Sequence, residues 1–213
     1  GRWVLRRACA EAARWPEHLS VAVNLSAAQF RNGDLIEIVA RALDESGLPA
    51  RRLGVEITES LLMSNTEQVI SALRKLSAMG VRIAMDDFGT GYSSLAYLWR
   101  FPFDKLKIDR AFTQNMENDP KVSLIVRSII SLAHSLQIRV NAEGVETKHQ
   151  LETLRRHGCD ELQGYLLGKP APSDVLPHLD DDIAPGGMMS SHAQLALPGL
   201  ESKAEPVRQA VAA

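Results

Sequence analysis

Six short apolar runs along this sequence each end on a polar side chain of a type that binds metals or phosphates. Val21-Ala22-Val23 runs into Asn24, Leu53-Gly54-Val55 into Glu56, and Ile83-Ala84-Met85 into the pair Asp86-Asp87. Leu106 is followed by Lys107, Arg139-Val140-Asn141-Ala142 by Glu143, and Leu162 by Gln163. Carboxylates brought together without partners repel one another. Divalent cations relieve that repulsion, and an all-oxygen ligand set favours Mg²⁺ or Mn²⁺ over zinc. Any one such position could simply cap the helix that follows, and Ser26 and Ser60 read as caps of this kind. Six in succession point instead to a multi-carboxylate metal site.

Asp86-Asp87 opens the strongest local signal, Asp-Asp-Phe-Gly-Thr-Gly-Tyr-Ser-Ser-Leu. Neighbouring side chains of an extended strand point to opposite faces. At a strand end, where the pleat breaks, both carboxylates can address adjacent cations. Gly89 and Gly91 then suit a loop that folds over the site, although Gly-Thr-Gly alone is only a common turn. Asp-Phe-Gly also occurs in kinases, but no kinase Gly-rich loop, strand lysine or catalytic loop accompanies it here. The six histidines (His18, His134, His149, His157, His178, His192) are scattered, and no Ser–His or Cys–His arrangement stands out.

The elements that position these groups are legible from periodicity. Strands are expected at residues 20–25, 53–58, 81–86, 104–108, 138–142 and 161–165. Helical patterns lie between them: Leu35, Ile36, Val39, Leu43; Val69, Ile70, Leu73, Leu76; and Leu124, Ile125, Ile129, Leu132, Leu136. Gly47, Gly80 and Gly158 each follow such a pattern, where a helix end favours a left-handed residue. Strands alternating with helices predict an α/β protein with a parallel sheet. An open doubly wound sheet would carry a Gly-rich phosphate loop after its first strand, and none is present. Six βα units therefore predict a TIM-like (β/α)₈ barrel, incomplete at the N-terminus, since that fold has eight strands in about 250 residues. In such a barrel all strand ends meet on one face, where active sites lie.

The chain has 213 residues, 45% hydrophobic and 23% charged, which suits one globular domain. A formal charge of −2 argues against DNA or RNA as partner. Cys9 and Cys159 lack metal-site spacing, and two reduced thiols suit a cytoplasmic protein. The longest apolar stretch, Val122 to Leu136, is interrupted by Arg127, Ser128, Ser131 and His134, so no membrane contact is expected from this segment. The parent protein could still be membrane-anchored. Gly1 stands in what reads as the middle of a helix, so the sequence reads as a fragment. Residues 1–177 are read as the domain. Residues 178–213, with Asp180-Asp181-Asp182 and an Ala/Pro/Ser-rich end, are read as a disordered tail, with a short helix near 173–179.

On these residues the chain resembles the EAL domain family of cyclic-di-GMP phosphodiesterases. The resemblance runs from about Trp3 to Pro170 and rests on six ordered motifs: Val-Asn-Leu-Ser at Val23, Glu-Ile-Thr-Glu-Ser at Glu56, the Asp86 motif above, Lys-Leu-Lys-Ile-Asp at Lys105, Ala-Glu-Gly-Val-Glu at Ala142 and Gln-Gly-Tyr at Gln163. It implies a barrel in which two Mg²⁺ or Mn²⁺ ions serve the hydrolysis of cyclic-di-GMP to the linear dinucleotide. Asn24, Glu56, Asp86 and Glu143 are then similar to metal ligands, Asp86 being the bridging carboxylate and Asp87 serving the second ion. Lys107 resembles the lysine that contacts the attacking water and the phosphate. Glu59 resembles the anchor of the Asp-Phe-Gly-Thr-Gly loop, while Asp109, Glu146 and Gln163 match supporting positions near metals and substrate. The family's Glu-Ala-Leu strand, with one more ligand, is not in this sequence and is expected upstream of Gly1. Asn141 stands where family members more often carry an apolar residue. Homodimerisation and flanking sensory or GGDEF domains are further expectations. The alternative is a module that binds cyclic-di-GMP without cutting it, this stretch alone being inactive; the intact visible ligands favour the enzyme.

Overall fold

A computed structural model describes residues 1–31, 33–64, 66–89 and 95–170. The expected tail, the short helix at 173–179 and the loop around Gly91 lie outside them. In chain order, α1 (Arg2–Ala12) leads to β1 (Val21–Asn24), and α2 (Ala27–Arg31) and α3 (Leu35–Ser46) lead to β2 (Leu53–Thr58). Then α4 (Glu59–Ser64) and α5 (Thr66–Ala78) precede β3 (Arg82–Phe88), and α6 (Leu95–Leu98) precedes β4 (Lys105–Ile108). Finally α7 (Arg110–Asn115) and α8 (Pro120–Ser135) precede β5 (Arg139–Ala142), and α9 (Lys148–Arg156) precedes β6 (Glu161–Leu162).

All six strands run parallel in the order β1-β2-β3-β4-β5-β6, an arc of a TIM-like barrel. Alternation along each strand sorts the side chains. Val21 and Val23, Leu53, Val55 and Ile57, Ile83 and Met85, Leu106 and Ile108, and Val140 and Ala142 are buried in the apolar core. The residues between them, among them Glu56, Asp86, Lys107, Asn141 and Glu161, form the other face. Each fully buried Leu, Ile or Val contributes about 1.5–3 kcal/mol, so the strand–helix layer carries most of the stabilisation. Gly47, Gly80 and Gly158 take left-handed φ values of +69°, +88° and +82°, as the helix patterns require.

Four details depart from the sequence reading. Strand β3 continues through Phe88 because it contains a bulge, described below. Strand β6 is only two residues long, because after Gln163 the backbone turns over Val145: Val145 N–H donates to Gln163 O at 3.0 Å and Leu166 N–H to Val145 O at 3.0 Å. Helix α4 begins at Glu59, so Ser60 sits in its first turn and does not cap it, whereas the N–H and hydroxyl of Ser26 both donate to Gln29 Oε1 at 3.0 and 3.1 Å. Helix α8 buries Val126, Ile130 and Ala133, leaving Leu124, Ile125, Leu132 and Leu136 exposed. That helix is apolar on more than one side, so periodicity could not select the face. Its orientation is held by bonds from Ser123 to His157 (3.1 Å) and from His134 to Asp160 (2.8 Å).

At the strand starts, charged side chains serve the backbone. Arg52 is buried and donates to the carbonyls of Leu19, Ala12, Trp15 and Pro16 at 2.7, 2.7, 3.2 and 3.0 Å, fixing the α1–β1 connection onto β2. Asp104 Oδ2 accepts from Ile83 N–H and Asp160 Oδ2 from Val140 N–H, each at 2.7 Å, tying the beginnings of β4 and β6 to their neighbours.

Candidate functional site

At the opposite ends of the strands the register assembles the predicted polar residues. Asn24 pairs with Glu56 across β1–β2, and Thr58 pairs with Asp86 across β2–β3. Between β3 and β4, Met85 pairs with Leu106 and Phe88 with Ile108. Asp86 and Asp87 together therefore oppose the single residue Lys107, which is a β-bulge. Asp87 adopts φ +54°, the left-handed region that L-residues seldom occupy. The bulge breaks the pleat at this pair, so two consecutive carboxylates can turn to one site. Oxygens of Asp86, Asp87 and Glu143 all lie within 4.8 Å of one another.

Lys107 stands at the centre, with only 5% of its surface exposed. Its ammonium donates to Glu56 Oε2 at 2.7 Å and contacts Glu143 Oε1 at 2.6 Å. Asp86 Oδ1 lies 3.0 Å away, at an angle that makes no hydrogen bond, so this buried oxygen has an ion-pair contact but no donor among the described residues. Burial alone would lower the lysine's pKa. The carboxylates of Glu56, Glu143 and Asp86 outweigh it and hold the group above its ordinary value. Glu143 is pushed up by burial, which prevails over the pull of Lys107. Asp87 is raised by burial and then by the charges of Asp86 and Asp109. Asp87 and Glu143, whose charged forms are disfavoured, beside an Asp86 oxygen that lacks a donor among the described residues, fit a divalent cation.

Beside this cluster opens a cleft of about 440 Å³, lined by Asp87, Asp109, Glu143, Glu146, Gln163 and Tyr165 among others. Asp109 also caps α7, its Oδ1 accepting from Ala111 N–H at 2.9 Å. Glu146 Oε1 accepts from Gln114 Nε2 at 3.3 Å, joining the loop after β5 to α7. Gln163 is held beside Glu143 because its N–H donates to Ala142 O at 2.8 Å.

The predicted residues thus fall into three groups. Glu56, Asp86, Asp87, Lys107 and Glu143 meet in one cluster, with Asp109, Glu146 and Gln163 along the adjoining cleft. Asn24 stands at the same level on β1, opposite Glu56, with its side chain exposed. Glu59 is 1% exposed, and neither carboxylate oxygen has a hydrogen-bond partner among the described residues. Of the loop it was expected to anchor, Thr90 and Gly91 lie outside them. The sequence reading missed Arg110 and Tyr165, which line the same cleft. Arg110 adjoins Asp109, and Tyr165 closes the Gln-Gly-Tyr motif that begins at Gln163, which was the available signal.

A parallel arc whose strand ends carry an acidic cluster able to hold a metal ion is the architecture of a TIM-like barrel. The chain belongs to the EAL domain family, whose model matches residues 1–170. It is 45% identical over 178 residues to the cyclic di-GMP phosphodiesterase NbdA of Pseudomonas aeruginosa, covering 82% of this chain and 23% of NbdA. The MucR phosphodiesterase of the same organism, solved as a c-di-GMP complex, superposes with a TM-score of 0.79 at 45% identity, covering 83% of this chain and 73% of that one. The EAL domain of Mycobacterium smegmatis DcpA gives a TM-score of 0.81 at 41% identity, over 87% and 86% of the two chains. The chain spans about a quarter or less of the length of curated relatives such as NbdA (23%) and MucR (26%).

Proposed function

We propose that this chain is the catalytic domain of a phosphodiesterase that hydrolyses cyclic-di-GMP to the linear dinucleotide. The observation that carries the reading is the grouping of Asp86, Asp87 and Glu143 within 4.8 Å beside the buried Lys107. These three, with Glu56 and Asn24, would hold two divalent cations, Mg²⁺ or Mn²⁺, Asp86 serving both. When bound, such cations lower the pKa of a water and neutralise charge on the phosphate. The chain's own groups do the rest. Without cations, the carboxylates of Glu56, Glu143 and Asp86 hold the pKa of Lys107 up. The ammonium would face the phosphate, where negative charge develops as water adds and the P–O bond to the sugar breaks. Asp109, Glu146 and Gln163 border the substrate, and Glu59 steadies the loop after Asp87.

Incubating the full-length protein with cyclic-di-GMP in Mg²⁺ or Mn²⁺, with and without EDTA, tests the reading. The linear dinucleotide should appear only where the metal is free. Metal-dependent binding without product would instead establish the binding-only alternative. The shares of NbdA and MucR covered support flanking sensory or GGDEF domains in the parent protein. The exposed Leu124, Ile125, Leu132 and Leu136 on α8 support a homodimer, which sedimentation with Leu132→Glu would break. No helix among the described residues is long and apolar enough to cross a membrane. The free thiols of Cys9 and Cys159 support a cytoplasmic location.

A further inference from the structure

The cleft beside the acidic cluster contains a group that the metal chemistry does not use. Among the described residues lining it, Asp87, Asp109, Glu143 and Glu146 are acidic, and Arg110 is the one lysine or arginine. Arg110 is exposed, and no ion pair or hydrogen bond holds its guanidinium among the described residues, although its charge is near enough to offset a little of the rise in the Asp87 pKa. Lys107 cannot serve the cleft in its place, being 5% exposed and enclosed by carboxylates. Lys169 lies over the Tyr165 ring, 5.6 Å from its centroid.

The backbone of Arg110 is fixed with unusual tightness. Gly144 has φ +68°, and a Cβ there would fall 2.6 Å from Arg110 Cβ and 3.2 Å from its Cα. The residue after Glu143 is therefore wedged against Arg110, which sets the distance between the acidic cluster and the guanidinium's base. A fixed stem with free donors beside a metal site is an arrangement for binding an anion that the metals do not themselves contact.

We propose that Arg110 is a substrate-binding residue that holds the second, non-reacting phosphodiester of a cyclic dinucleotide while the first lies at the metal cluster. This rests on the phosphodiesterase reading above and adds to it a requirement for two phosphates. The guanine bases carry hydrogen-bond donors that Asp109 or Glu146 can accept, but a second anion in a cleft of carboxylates needs a cation. A guanidinium meets a phosphate with two parallel N–H donors, which lysine cannot do.

The test compares wild type, Arg110→Ala and Arg110→Lys in the full-length protein with two substrates: cyclic-di-GMP, and bis(p-nitrophenyl) phosphate, which has only one phosphate. For Arg110→Ala the ratio of kcat/KM for cyclic-di-GMP to that for the single-phosphate ester should fall about 10- to 100-fold, mainly through KM. Arg110→Lys should recover part of it. The dissociation constant of cyclic-di-GMP, measured with Ca²⁺ as the cation, should rise by a similar factor, and this arm stands even if the wild type binds without cutting. An unchanged ratio and unchanged dissociation constant would overturn the assignment. So would an equal loss on both substrates, which would mean that Arg110 acts through the metals or the fold. A wild type that neither binds nor cuts cyclic-di-GMP, while cutting the single-phosphate ester, would overturn the function proposed above and the assignment with it.

Discussion

Where the strands start, Arg52 serves four carbonyls, and Asp104 and Asp160 each accept a neighbouring strand's N–H. Where the strands finish, Asp86 Oδ1 lacks a donor, both oxygens of Glu59 lack partners among the described residues, and Asp87 is held at φ +54°. Polar side chains thus bond the backbone at one end, while at the other several carboxylate oxygens have no hydrogen-bond partner among the described residues. In a parallel barrel the strand starts are where stability resides, and the strand ends are where ligands are met. The contrast locates the site without reference to any motif. Open valences and unfavourable backbone angles cost stability, and they persist where a ligand completes them.

If that contrast is sound, changes at the two ends should fall on different measurements. The largest effect is expected from Asp86→Asn, which should lower kcat/KM on cyclic-di-GMP by about 10³-fold or more, roughly 4 kcal/mol of transition-state stabilisation. Its melting temperature should stay close to wild type, since Oδ1 accepts no hydrogen bond and Lys107 keeps its contacts with Glu56 and Glu143. Near-normal turnover at saturating Mg²⁺ would remove Asp86 from the metal site.

Next comes Arg52→Met at the other end. Stripping a buried cation from four carbonyls should cost about 3 kcal/mol in urea unfolding. Metal affinity and turnover per folded molecule should not change. A melt like wild type would mean that water replaces the guanidinium and that the strand starts are not the anchor described here.

Glu59→Gln should have a smaller effect, lowering apparent metal affinity about 10-fold through looser placement of Asp86 and Asp87. Unchanged metal titration and rate would reduce Glu59 to a residue of the first turn of α4. The smallest effect is expected from Asp104→Ala, which loses one accepted N–H, about 1 kcal/mol, with activity intact. Thermal unfolding together with a rate assay distinguishes it from the changes at the other end.

The cluster was legible in the sequence because a parallel barrel gathers every strand end in one place, so the residue after each apolar run is a site residue wherever the strand lies. That logic named Glu56, Asp86, Asp87, Lys107 and Glu143, which the strand register brings together, and also Asn24 and Gln163, which stand beside them. It could not show the bulge, which depends on how Met85 and Phe88 pair with Leu106 and Ile108. A two-to-one pairing is a property of two strands together, and neither strand's pattern contains it. The face of α8 was likewise hidden, because Leu124 and Ile125 are as apolar as the buried Val126 and Ile130. There the choice was made by Asp160 and His157 on neighbouring segments. Arg110 was overlooked because an arginine at the start of a helix is an ordinary surface residue until Gly144 is seen pressed against it.

The sorting of side chains across the sheet has a consequence for how the molecule assembles. The oily side of every strand faces its helices, while the concave side presents Glu56, Asp86, Lys107, Asn141 and Glu161. Each strand thus finds its hydrophobic reward locally, in the helix layer, and not across the lumen from a distant strand. Growth of the sheet is then incremental: a strand–helix unit can dock on the one before it, pairing one edge and burying one layer, without waiting for a ring to close. The contacts that would be slowest to search for, those across the barrel's interior, are the ones the chain has made polar. Folding and function have divided the strand between them, alternate residue by alternate residue.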